Sequence, residues 1–401
     1  MKKINKKIKE QSPPEYISAA EYALLDTDER ALWQPVPKEH ERVPLFSKIC
    51  LCISALCLVI YVMAIISESF ADVFNRYVSG AFRFIFAKIT NILPFSFAEL
   101  ILMIIVPVAI GYIVFAIRHR CDTWKSVISA LSVPVSVVAI IFSCFVLNLG
   151  TAYRTPTLDK KLEIEQVDVT KENLYDTAVY LVESMNSLSE EIEYGSDRFS
   201  QMPYSFDEMN NKLIDAYDNF CDEYDFIYTF DSRLKPVLMS RAMSYMHTLG
   251  VYTFFTGEAN INVDFPDYTT PYTAAHELAH QRGIAREDEA NMMAFLVCER
   301  SDDAYIRYCA YLNMYEYVVS ALYQTDPALY REVRDMLDAG PRAELSAMNK
   351  FFSHYSGSTA SKVSSAVNDT FLKVQGTEGE ISYNLVVELT VSYLTAEKII
   401  G

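Results

Sequence analysis

Apolar residues run almost unbroken through three stretches, Leu45–Ile66, Leu100–Ile117 and Val127–Leu149. Each approaches the roughly 20 residues that a helix needs to cross a bilayer. Lys48 is the only charged residue in them, near one end of the first, where its long stem lets the ammonium snorkel to the interface. Between the first two, Phe74, Tyr77, Val78, Phe82 and Ile85 recur at helical spacing with Arg76, Arg83 and Lys88 interleaved, which predicts an interfacial helix over residues 70–95. After Leu149 the pattern becomes amphipathic. Thr170 with Glu172 opens a helical run to about Leu188, Asp207 caps another to about Tyr224, and long periodic segments follow from Asp302 to the end. The clearest strand signals are Val251–Phe255 and Ala259–Val263. The pattern therefore predicts a mainly α chain, with a three-helix membrane region followed by an α+β, mostly helical outer domain holding a small β-sheet. No repeat recurs at periods of 20–50 residues.

Composition agrees and adds a polarity. The 401 residues are 51% hydrophobic and 22% charged, with a mean hydropathy of +0.08, too apolar for a disordered chain. The net charge of −17 is unevenly spread: residues 1–150 carry 15 basic and 12 acidic residues, residues 151–401 carry 20 basic and 40 acidic. A surface that acidic repels phosphate backbones, which excludes nucleic acid as its partner. Gly is scarce at 12, and neither GxGxxG nor GxxxxGK[ST] occurs. The eight Cys form no CxxC, and four sit inside apolar runs, so they read as small hydrophobes rather than a disulfide framework, with Cys298–Cys309 the one bridge left open.

These divisions give three regions: a cytoplasmic N-terminal segment over 1–43, a membrane region over 44–150 and an outer domain over 151–401. The first apolar run begins 44 residues in and is too long for a signal-peptide core, so it reads as an uncleaved anchor. Arg118, Arg120 and Lys125 crowd the short loop between spans two and three, and five Lys fall within the first nine residues. Both read as cytoplasmic, which puts the C-terminal domain outside the cell membrane.

The string that carries chemistry is His276-Glu277-Leu278-Ala279-His280, a HExxH sequence on a helix predicted to start near Pro271 and end at Gly283. One helical turn apart, both imidazoles can meet one Zn²⁺ per chain, while Glu277 stands close enough to take a proton from the attacking water. A catalytic zinc needs a third protein ligand. The next helix begins at Arg286, and Glu289 shares a face with Met293 and Leu296 that should pack toward the first helix, so Glu289 is the preferred ligand and Glu287 its rival. The metzincin spacing would assign the ligand to Arg286, which cannot bind zinc. Upstream, Asn260 and Asn262 lie on a strand that can align a peptide substrate by β-augmentation, or else satisfy their own strand end. Tyr315, Tyr317 and Tyr383 are helix-borne candidates for stabilising an oxyanion, and His247 and His354 read as packing or surface residues.

Three strings carry a resemblance: Asn148–Arg154 (NLGTAYR), Thr256–Asn260 (TGEAN) and Pro271–Asn291 (PYTAAHELAHQRGIAREDEAN). With the membrane spans, they resemble the bacterial membrane-protein family DUF3810 over most of residues 45–400. The resemblance implies a membrane-anchored, zincin-like protein of unknown substrate. Glu-Ala-Asn after HExxH is also similar to gluzincin metallopeptidases, whose third ligand is a Glu on the following helix, and that similarity implies Glu289. The expected function is a membrane-anchored zinc metallopeptidase acting on peptides or proteins. The rival is a zincin-like sensor or assembly protein that binds peptides without turnover. The intact Glu277 favours the enzyme, because a binding module gains nothing from a carboxylate beside the metal. A site-2-type intramembrane protease is disfavoured, since His276 lies far beyond the last span.

Overall fold

The computed structural model describes residues 24–26, 41–119, 123–355, 358–375 and 383–400. The expected N-terminal segment over 1–43 falls almost wholly outside them, as does Arg120. Three helices are long and apolar enough to cross a membrane: α1 (Leu45–Ile66), α4 (Phe97–His119) and α5 (Trp124–Phe145), the last running on through a π-turn to Gly150. Along α4, Leu102, Val106, Val108 and Ile110 are all exposed, so its surface is apolar on every side. A helix of that kind belongs in lipid. Pro107 and Pro134 lie inside α4 and α5, as membrane helices tolerate.

The chain divides into two compact units. One combines residues 1–54 and 105–140. It is stitched by small polar contacts, with Ser129 Oγ donating to the Arg42 carbonyl at 2.7 Å, Thr123 Oγ1 to Glu41 at 3.0 Å and Tyr112 OH to the Ala130 carbonyl at 2.7 Å.

The other unit combines residues 55–104 and 141–401. Its segment after α1 consists of α2 (Glu68–Val73), a π-turn (Phe74–Ser79) and α3 (Gly80–Thr90). The basic residues expected to face lipid head groups here are committed to protein instead. Arg76 meets Tyr228 OH at 3.3 Å and Asp225 at 3.4 Å, Lys88 meets Asp231 at 3.3 Å, and Arg83 is buried, bonded to Asn75 and the Asn148 carbonyl. Two charges of the acidic half thus supply what the interfacial reading assigned to lipid.

The predicted soluble helices appear with small shifts at their caps. Helix α7 (Lys171–Ser189) starts at a Thr170 and Asn173 capping box, and α8 (Phe206–Glu223) starts at Ser205, with Asp207 in its first turn rather than at the cap. A three-stranded sheet has the order β1-β3-β2, where β1 is Lys235–Pro236, β2 is Gly250–Thr253 and β3 is Glu258–Ile261. Strand β3 pairs parallel with β1 and antiparallel with β2, in a register opposing Gly250 to Ile261 and Thr253 to Glu258. Both sequence strands are therefore present but shorter, because residues 253–257 form a tight turn between them. Helix α10 (Thr269–Gln281) packs on strands β2 and β3, and both it and α11 (Glu287–Glu299) pack on the long α12 (Ala304–Thr325), whose buried face includes Tyr308, Leu312, Tyr315 and Val318. Cys298 and Cys309 lie in this core as free thiols, so the bridge left open by the sequence is not formed. The C-terminal helix α16 (Tyr383–Ala396) packs against α11 and α12.

Candidate metal centre

Helix α10 ends in a Schellman turn. The Gly283 N–H donates to the His280 carbonyl at 3.0 Å and the Ile284 N–H to the Ala279 carbonyl at 3.1 Å, with Gly283 at φ +98°. A side chain at Gly283 would meet both a left-handed backbone and the Arg83 guanidinium, 2.4 Å from where its Cβ would stand. The turn has a chemical result: it returns the Ile284 carbonyl to His280 Nδ1, which donates to it at 2.8 Å. His276 Nδ1 donates in the same way to Asn291 Oδ1 at 2.9 Å, and Tyr272 OH holds the Asn291 carbonyl at 2.8 Å. With both Nδ1 protons used, each imidazole turns an Nε2 lone pair outward, the arrangement that orients metal-ligating histidines.

Those two Nε2 atoms lie 3.0 Å apart. Two zinc–nitrogen bonds of about 2.0–2.1 Å at a tetrahedral angle would hold them about 3.3 Å apart. The Glu287 carboxylate closes the group, 3.2 Å from His276 Nε2 and 3.6 Å from His280 Nε2. One ligand atom from each of His276, His280 and Glu287 falls within 4.8 Å of the others. The donor set His₂Glu, with oriented rings and a partly exposed carboxylate, fits zinc.

The preference for Glu289 is corrected by this geometry. Its buried carboxylate accepts from the Leu158 N–H at 2.9 Å and from Arg286 at 2.8 Å, while Arg286 also holds the Tyr153 and Thr155 carbonyls at 3.1 and 2.9 Å. Glu289 does lie on the inward face of α11, but that face meets the chain after α5 rather than the histidines. Glu287 is the first residue of α11, and side chains lean toward a helix N-terminus, so it reaches back over the 283–286 turn.

Asn260 and Asn262 do not face a substrate groove. Both are buried: Asn260 Nδ2 donates to the Val251 and Glu258 carbonyls at 3.2 and 3.1 Å, and Asn262 bonds the Thr248 carbonyl at 2.9 Å and the Asp264 N–H at 3.0 Å. They satisfy their own strand and turn, the alternative left open above. Of the tyrosines, Tyr315 is buried in the core of α12 and Tyr317 is packed against it.

Glu277 is buried beside the two histidines, and its Oε2 has no hydrogen-bond partner among the described residues. Gly250 on β2 makes room for it: a Cβ there would stand 2.6 Å from Glu277 Oε1 and 2.9 Å from Thr273 Cγ2. Burial pushes the Glu277 carboxyl up, partly offset by His276, His280 and a hydrogen bond from the Tyr252 backbone. Burial alone would lower His280, but the charge and hydrogen bond of Glu287 overcome it and raise it to about 9. Burial likewise works against Glu287 ionising, yet His280 and His276 hold its carboxyl well below the usual range.

A family model described as a protein of unknown function, DUF3810, matches residues 70–391. The chain belongs to this family. The DUF3810 match takes in the Arg83 segment, spans α4 and α5, and the His276–Glu287 cluster, and carries no description of an activity. No curated protein and no solved structure matches the chain.

Proposed function

We propose that this DUF3810 protein is a membrane-anchored, zinc-dependent peptidase whose catalytic domain lies outside the cell membrane. The observation that carries the proposal is the convergence of His276 Nε2, His280 Nε2 and the Glu287 carboxylate beside the buried Glu277, whose Oε2 has no hydrogen-bond partner among the described residues. Those three side chains would hold one zinc ion per chain. Zinc held there supplies Lewis acidity, polarising a scissile carbonyl and acidifying water. The chain's own residues do the rest. Asn291 and the Ile284 carbonyl fix the two rings, and Glu277 takes a proton at its free carboxylate oxygen and passes it to the leaving amine. Its burial favours that role, because a carboxylate made more basic by desolvation takes a proton more readily. Peptide or protein is the substrate class, since hydrolysis of a neutral amide is the task for which a basic carboxylate beside a Lewis acid is suited.

Glu277→Gln tests the reading on the full chain in nanodiscs loaded with zinc, against an unbiased peptide library. Zinc content and folding should persist while hydrolysis falls by about 10²- to 10⁴-fold, the share of a positioned general base. A wild-type protein that cleaves nothing yet retains library peptides, equally with Glu277→Gln, would establish the sensor function in place of the peptidase.

A further inference from the structure

A cavity of about 270 Å³ opens between the π-turn with the start of α3 and the loop Phe226–Phe230, with Arg282 at its wall. Three arginines line it: Arg76, Arg83 and Arg282. Arg83 is 2% exposed and Arg282 3%, and the Nε of each has no hydrogen-bond partner. Neither makes an ion pair among the described residues. Arg83 bonds only Asn75 and the Asn148 carbonyl, and Arg282 bonds the Leu278 and Phe230 carbonyls and the Gln281 side chain, with Tyr217 under its guanidinium at 4.2 Å. The carboxylate nearest in influence on Arg282, that of Asp218, is taken by the Thr229 hydroxyl. A buried guanidinium without a counter-anion leaves a desolvation cost uncompensated. Two of them on one cavity, one from each half of the chain and neither with a carboxylate of its own, mark a place suited to an anion from elsewhere.

We propose that this cavity binds a phosphate group between Arg83 and Arg282. Planar guanidinium forks suit tetrahedral phosphate oxygens, and the third arginine, Arg76, stands at the same cavity with its Nε on Tyr228. Phe84, Phe226 and Phe230 give the rest of the wall an apolar face, so the phosphate belongs to a larger molecule with carbon attached. The cavity is lined by the segment that joins α1 to α4, which places a lipid headgroup and a soluble phosphoester as the two sources of that chemistry. The bound group would brace the turn after His280: Asn75, held by Arg83, donates to the Gly283 carbonyl at 3.1 Å.

Gly80 allows a test that does not remove an arginine. A Cβ there would sit 3.9 Å from Arg83 Nη2 and 4.0 Å from Tyr228 Cδ2, ordinary contact distances. Gly80→Glu therefore puts an internal carboxylate where the phosphate would be, on an ordinary helical backbone that accepts a side chain. Thermal unfolding of the full chain is measured with inorganic phosphate against chloride at equal ionic strength, and in nanodiscs of phosphatidylcholine with and without phosphatidylglycerol. Phosphate at ten times its dissociation constant should raise the unfolding temperature of the wild type by about 3–5 °C. Gly80→Glu should be more stable than wild type without phosphate and lose the shift. A shift confined to phosphatidylglycerol nanodiscs and lost in Gly80→Glu supports the site and identifies the lipid source. No shift in any arm, or a shift that survives Gly80→Glu, overturns the site, whatever zinc and peptide assays show.

Discussion

Two carboxylates two residues apart, Glu287 and Glu289, are assigned different work by their surroundings, and amide substitutions separate the two. Glu289 is 3% exposed and takes the Leu158 N–H and Arg286 together. Removing one member of a buried ion pair costs about 3–5 kcal/mol. Glutamine keeps one acceptor oxygen, so about 2–3 kcal/mol is the expected loss. For a unit of this size that lowers the unfolding temperature by about 5–10 °C. Zinc affinity should stay within about threefold, because the carboxylate faces away from both Nε2 atoms. Glu287→Gln removes the one anionic member of the ligand group, and zinc affinity should fall at least 10²-fold, more than loss of an outer hydrogen bond would cost. Competition with a zinc-chelating dye gives the affinities, and unfolding in excess chelator gives the metal-free stabilities. Zinc lost from Glu289→Gln and kept by Glu287→Gln would refute the assignment and return the third ligand to Glu289.

Zinc binding should also depend on pH in a defined window. His280 is raised to about 9 by Glu287, so in the metal-free chain the pair holds a proton that zinc must displace. Apparent zinc affinity should rise about tenfold per pH unit from about 6.5 and level off near 9, while metal-free stability falls through the same window, because the raised pKa stabilises below 6.5 and that gain is lost as His280 deprotonates. Equal zinc affinity at pH 6.5 and 8.5 would contradict the coupling. For orientation, a reporter active only outside the cell should work when fused after Gly401 and fail after Arg120; the reverse pattern would put the metal centre in the cytoplasm.

The membrane helices and the HExxH helix were legible in the sequence because each rests on a local pattern: an unbroken apolar run, and histidines one turn apart followed by a glycine. Which carboxylate joins the two histidines was not legible. Choosing between Glu287 and Glu289 required knowing where α11 starts relative to the turn, and a shift of two residues rotates a helix by about 200°. The preference for Glu289 followed the apolar face correctly, but that face packs on the Tyr153–Leu158 backbone. The burial of Arg83 is hidden from the sequence for a related reason. Periodicity placed it on a polar face, and nothing local reveals that Asn75 and Asn148 lie beneath it. The quoted strings prove to be neighbours: Asn148 bonds the Phe254 carbonyl at 2.9 Å just before TGEAN, Arg286 bonds the Tyr153 carbonyl, and Gln281 bonds the Gly257 carbonyl at 2.7 Å.

The sheet region and helix α4 exchange carboxylates. Glu258 accepts from the Phe97 and Ala98 N–H groups at 3.0 and 2.8 Å, while Glu99 accepts from the Leu238 and Met239 N–H groups at 2.9 and 2.7 Å just beyond β1. The exchange works as a mutual clasp. It ties the sheet on which the His276–His280 helix packs to the first turn of α4, so that each side supplies the acceptors for the other's free N–H groups and neither can shift without breaking both pairs of hydrogen bonds.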